Sequence, residues 1–108
     1  MVNKILTAAG IQGRRGRFIG KAPSTYAVYF DDVTTDGPDG HPLIQRHDTT
    51  VELYEAKPDD KAETAMEAAI AAAGLHYTKQ DRYWLQTEQL YQVVYEFTYY
   101  TKGGQPHA

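Results

Sequence analysis

Hydrophobic and polar residues alternate with a period of two in several stretches of the chain and recur with a helical period in two others. Val2 to Ala9 sets Ile5, Leu6 and Ala9 three and four apart ahead of Gly10, which predicts a short helix ended by a left-handed glycine. It falls short of the ~12 residues that an isolated helix needs, so tertiary contacts must hold it. The run from Gly10 to Gly20 is glycine-rich and predicts a loop. In Tyr26 to Val33, Tyr26, Val28 and Phe30 point one way and Ala27 and Tyr29 the other, which predicts a strand just after Pro23. Turn chemistry follows, and Asp36, Gly37, Asp39 and Gly40 predict a projecting loop or hairpin tip. A second strand, Leu43 to Tyr54, is half buried, with Val51 and Leu53 inward and Thr50, Glu52 and Tyr54 outward.

The strongest periodic signal is a helix from Asp60 to Ala73. Ala62, Ala65, Met66, Ala69, Ile70 and Ala73 make one apolar stripe, Asp60 and Glu63 have the spacing of a capping box, and Gly74 stands where a left-handed terminator belongs. Leu75 to Lys79 and Tyr83 to Gln86 are short strand candidates. Leu90 to Thr101 is a long one, with Tyr91, Val93, Tyr95, Phe97 and Tyr99 on one face and Gln92, Glu96 and Thr98 on the other, as a central or interface strand requires. The expected fold is α+β: an antiparallel sheet of about four strands packed against the alanine-rich helix and the short N-terminal one. Residues 1–101 form a single domain, and residues 102–108, with no apolar content beyond the final alanine and a proline, are expected to be a disordered tail.

Composition narrows the chemistry. The absence of cysteine in 108 residues removes disulfides, thiolate metal sites and cysteine nucleophiles, and makes an intracellular or assembly-bound protein the expectation. No apolar run reaches the ~20 residues of a spanning helix, and the N-terminus lacks the apolar region of a secretory signal, so no membrane partner is expected. The net charge of -3 hides an asymmetry: residues 1–22 carry Lys4, Arg14, Arg15, Arg17 and Lys21 without an acid, whereas the remainder is strongly acidic. Such polarity can set one copy against the next, or a basic segment against phosphate.

Catalytic constellations are missing from the sequence. His41, His47, His76 and His107 show no metal-ligand spacing, with His47-Asp48 the one histidine next to a carboxylate. The acidic turn lacks the spacing and closing glutamate of a calcium loop. Ser24 has no nucleophile elbow around it, and the Gly-Arg run has neither the lysine nor the Ser/Thr of a phosphate-binding loop. No enzyme, metal or cofactor is expected. Two features remain. Arg14, Arg15 and Arg17 can offer paired donors to phosphates or carboxylates. Tyr83, Trp84, Tyr91, Tyr99 and Tyr100 belong to a late aromatic concentration of the kind enriched at protein interfaces.

The segments Tyr26-Ala-Val-Tyr-Phe-Asp-Asp32, His47-Asp-Thr-Thr-Val-Glu-Leu-Tyr-Glu55, Lys57-Pro-Asp-Asp60, Lys79-Gln-Asp-Arg-Tyr-Trp84 and Gln89-Leu-Tyr-Gln-Val-Val-Tyr-Glu-Phe97, with the acidic turn and alanine-rich helix between them, resemble tail completion or tail terminator proteins of long-tailed bacteriophages. The resemblance spans roughly residues 2–101 and implies a structural virion protein of the neck region, made in the host cytoplasm, that caps the tail tube as a hexameric ring. Its implied partners are itself, the tail tube protein and a head-completion or connector protein, with DNA passing through the lumen. Arg14, Arg15 and Arg17 are then expected at a subunit or lumen contact, and part of the aromatic group at the seam between subunits. Head-side connectors (stopper or adaptor) and minor tail proteins share this pattern, and a small nucleic-acid-binding module using the Gly-Arg segment is the alternative of another class.

Overall fold

The structure is a computed structural model describing residues 1–36 and 43–103. The elements run α1 (Val2–Ala9), β1 (Gly13–Arg15), β2 (Thr25–Asp36), β3 (Leu43–Glu55), α2 (Asp60–Ala72), β4 (Tyr77–Lys79), β5 (Tyr83–Leu85) and β6 (Leu90–Gly103). Together they form the α+β fold that the pattern predicts, with six strands in the sheet rather than about four. The strand order is β1-β2-β3-β6-β4, and β5 also pairs with β6. Both helices cover one face. The long strands β2, β3 and β6 are antiparallel, and Ala27, Leu53 and Val93 lie level across them, as do Tyr29, Val51 and Tyr95.

Alternation decides which side chains form the core. Ala27 from β2, Val51 and Leu53 from β3, and Val93, Tyr95 and Phe97 from β6 face the helices and meet Val2, Ile5 and Leu6 of α1 and Met66, Ala69 and Ile70 of α2. Ala73, expected in the helical stripe, is exposed, because the helix has ended at Ala72 and the chain leaves the sheet. Gly10 and Gly74 adopt φ of 72° and 78°, the left-handed terminators that the sequence predicts.

Three local expectations are corrected. Gly13–Arg15 is a strand, not loop, because it pairs in parallel with Ala27–Tyr29; glycine's poor strand preference is overridden by tertiary pairing, and Gly13 lets β1 pass under Leu6, whose Cδ1 would lie 2.5 Å from an added Cβ. The cap of α2 is Asp59, one residue earlier than the predicted capping box: its carboxylate accepts the Ala62 N–H at 3.0 Å and the Thr25 hydroxyl at 2.6 Å, and Glu63 is drawn away to other partners. Finally, β6 continues through Lys102 and Gly103, which pair with Ile44 and Leu43. Gly104 to Ala108, the rest of the expected tail, lie outside the described residues, as do Gly37 to Pro42 of the expected turn.

The radius of gyration, 15.5 Å, exceeds the ~13 Å of a compact chain of this length. The excess comes from the far halves of the long strands. Asp31–Asp36, Leu43–Asp48 and Thr98–Gly103 run on past the helical layer as a three-stranded ribbon in which no described side chain is fully buried.

Candidate functional site

The ribbon and the uncovered sheet face carry the unusual surface chemistry. On the helix side of the ribbon, His47 stacks flat on Tyr99, centroids 4.3 Å apart with the planes 6° from parallel. Its Nδ1 lies 3.0 Å from an oxygen of Asp31 and its Nε2 2.9 Å from the Thr101 hydroxyl. The histidine partner is thus Asp31 on the neighbouring strand, not the adjacent Asp48, because neighbours in a strand face opposite sides. Asp48 binds Arg46 at 3.1 Å and Thr98 at 2.8 Å on the other face, and chiefly the Thr98 hydroxyl holds its carboxyl below the usual range. The Asp31–His47–Thr101 chain has the connectivity of an acyl-transfer relay, and with the stack on Tyr99 it also makes His47 a strut tying three strands together. Among the described residues, no group of three or more His, Cys, Asp or Glu is placed to hold a metal ion.

An aromatic row crosses the uncovered face. The Arg14 guanidinium stands 4.9 Å over Phe18, Phe18 packs on Tyr26 at 5.1 Å, and Tyr26 stacks on Tyr54 at 5.3 Å. Phe18 reaches Tyr26 because the connection between β1 and β2 passes over this side of the sheet. Tyr54 donates to Glu52 at 2.8 Å; burial first, then that bond, pushes its phenol up to about 12. Glu88 raises the Tyr26 phenol in the same direction, after burial. The row thus combines rings packed on each other with carboxylates beside them.

The residues singled out in the sequence are thus spread over both faces. Arg14 lies on the uncovered face, while Arg15, one residue along β1, turns to the helix side and donates to the Asp31 carbonyl at 3.4 Å. Arg17 is exposed in the turn after β1. No single basic cluster results. Tyr83 and Tyr100 are 65% and 63% exposed, Trp84 packs on Tyr91 at 4.8 Å, and Tyr99 is engaged by His47. Asp36 ends β2, and Gly37, Asp39 and Gly40 lie outside the described residues.

A buried ion cluster escaped the sequence reading. Glu55 is 0% exposed and pairs with Arg82 at 3.4 Å; Arg82 also binds Glu63 at 2.9 Å and Asp60; Lys79 reaches Glu63 at 3.0 Å and Glu67 at 2.7 Å. Tyr95 donates to Glu67 at 2.8 Å from below. One Glu55 oxygen accepts the Asp59 N–H, while Oε2 is buried without a hydrogen-bond partner. Burial, reinforced by Glu63, pushes the Glu55 carboxyl up to about 7. Glu63 moves the other way: burial alone would raise it, but hydrogen bonds involving Glu55, Lys79 and Arg82 hold it low. The signal was the Glu55, Glu63 and Arg82 triplet, but these residues lie on β3, on α2 and in the connection between β4 and β5, whose meeting only the fold reveals.

A carboxyl whose folded value is raised binds more protons in the folded state, so its contribution to stability is present at low pH and is lost as pH rises from about 4.5 to about 7. Glu55→Gln keeps an acceptor for Asp59 and adds a donor toward Glu63. It is expected to raise stability above pH 7 by on the order of 2 kcal/mol, the gain fading toward pH 4. Urea unfolding of both proteins at pH 4, 6 and 8 checks this, and an equal difference at all three would exclude it.

No family model matches the chain, and no curated protein does. The class that the coordinates define is an α+β fold with helices on one sheet face and an extended strand ribbon. A solved chain from the virion of a native gene transfer agent particle shares that fold, with a TM-score of 0.62, 15% sequence identity, and coverage of 92% of this chain and 84% of that one.

Proposed function

We propose that the protein is a structural component of a phage-like virion, a tail terminator or tail completion protein that caps the tail tube as a ring and joins tail to head. The observation that carries this reading is the fold shared with a chain of a gene transfer agent virion over 92% of the residues. The sequence resemblance supplies the finer role. A ribbon standing outside the core, with exposed Tyr100 and Ile44, is the kind of element that gains its packing from a partner. The mechanism is non-enzymatic, resting on shape and binding energy, with the tube protein and a head-side connector as partners.

Light scattering over a concentration series, with negative-stain images, tests the reading. Rings near six times 12.1 kDa, alone or on added tube protein, are expected. A monomer under all these conditions would overturn it. Charge reversal of Arg14 and Arg15 together is expected to weaken assembly at least tenfold in the concentration midpoint, corresponding to about 1.4 kcal/mol. Unchanged assembly would remove these two residues from the seam.

A further inference from the structure

The two outer edges of the ribbon carry unpaired backbone. On one side β1 stops opposite Tyr29, so β2 runs on from Asp31 to Asp36 without an outer neighbour among the described residues. On the other side β4 stops opposite Phe97, so β6 runs on from Thr98 to Gly103 in the same condition. Exposed strand edges are templates for pairing with another chain, and soluble proteins usually blunt them with proline, bulges or charge. These edges have no proline; the β2 segment is guarded by acidic charge, whereas β6 has one lysine and carries Tyr100 in the open.

Hydrogen-bond parity fixes how the edges can be used. The Ala27 N–H donates outward to Gln12 O at 2.8 Å and Tyr29 O accepts from the Gly16 N–H at 3.0 Å, so the odd-numbered residues of β2 direct their backbone groups outward. By continuation, the outward groups of this edge are those of Asp31, Val33 and Thr35; the Asp31 carbonyl already accepts from the Arg15 guanidinium at 3.4 Å, so the bare stretch begins in earnest at Val33. On β6, Val94 O accepts from the Gln80 N–H at 2.9 Å, so even-numbered residues direct theirs outward: Thr98, Tyr100 and Lys102. Because β2 and β6 are both antiparallel to β3, they are parallel within one copy, and they remain so across a seam between copies that repeat in the same orientation. In a parallel pair, an outward residue on one strand sits opposite an inward one on the other and bonds to its two neighbours. Odd residues of β2 thus lie opposite odd residues of a second copy's β6. Odd residues of both strands face the helices, so the shared sheet keeps the helices of both copies on one side. Charge agrees: the β2 edge segment holds Asp31, Asp32 and Asp36 with no base, and the β6 segment holds Lys102 with no acid.

From this we infer that the ribbon is a head-to-tail docking surface for a second copy of the chain, β2 of one subunit adding in parallel to β6 of the next so that the sheet continues across the seam. The inference rests on the self-assembly reading and names its surface. A pairing of like edges would set two acidic β2 segments together, or bring β6 to β6 antiparallel in a closed dimer; the parallel contact is heterologous and can close a ring.

The test uses Thr35 and Thr101, which are exposed and level with each other across Gln45. The chain has no cysteine, so Thr35→Cys and Thr101→Cys introduce the only thiols. Neighbouring strand Cα atoms stand ~4.8 Å apart, within disulfide reach. Mixing the two single variants under mild oxidation is expected to give a cross-linked dimer in at least tenfold excess over either variant alone, and the double variant a ladder of multimers. Val33→Pro, which deletes an outward N–H without touching the β3 ladder, is expected to raise the assembly midpoint at least tenfold, its folding checked by circular dichroism. Oligomers with no T35C–T101C cross-link and no response to Val33→Pro would overturn the edge contact and leave self-assembly standing. Cross-linking of T101C with itself would replace it by a two-fold β6 pair. A monomer even with tube protein present would overturn both readings.

Discussion

Replacing Arg82 with alanine is expected to cost about 3–5 kcal/mol of unfolding free energy, the range for removing one partner of a buried ion pair. The guanidinium bridges Glu55, Asp60 and Glu63, two of which are nearly inaccessible to water, so its loss leaves carboxylates buried without their main counter-charge. For a domain with a total stability of ~5–15 kcal/mol this is a large fraction. Denaturant titration at pH 7 measures it. The diagnostic is a double variant, Arg82→Ala with Glu63→Gln, expected to be less destabilised than the sum of the single changes because the charge to be compensated is gone. Additive losses would mean that Arg82 acts through packing of its stem alone.

Leu53→Ala is expected to cost about 3–4 kcal/mol, as for other fully buried leucines. Leu53 is 0% exposed and lies between Ala27 and Val93 in the middle of the sheet, under both helices. With alanine already beside it on β2, that strand has no side chain to fill the space. A thermal melt should show a drop of at least ~4 °C per kcal/mol. A loss below about 1 kcal/mol would show that the helices settle into the gap.

The long elements were legible because one periodicity dominated each. From Tyr91 to Tyr99 every odd position is aromatic or valine, with Val94 the one apolar residue on the other face, and Met66, Ala69 and Ile70 recur at helical spacing, so sheet, helix and inward faces follow from the pattern alone. The three-residue strands were harder. Tyr77–Lys79 and Tyr83–Leu85 could be guessed from short runs, but Gly13–Arg15 could not, since only the partner strand makes a glycine-arginine tripeptide extended. Among site residues, chain proximity misled: His47 adjoins Asp48 in sequence and binds Asp31 in space. The arginines clustered in sequence diverge because a strand sends Arg14 and Arg15 to opposite faces. The length of the ribbon and its bare edges depend on where β1 and β4 stop, which no local pattern encodes.

No residue between Ile70 and Val93 is fully buried. The passage that contains β4 and β5 is held to the outer edge of β6 by a few backbone pairs, with Lys79 and Arg82 tied instead to α2 and to Glu55 of β3, whereas the inner edge of β6 is sealed to β3 over thirteen registered positions, from Leu43–Gly103 to Glu55–Tyr91. One strand therefore has two borders of unequal strength. The outer one can part over its few pairs while the inner one stays closed, so the chain carries a seam of its own, inside the subunit rather than between subunits.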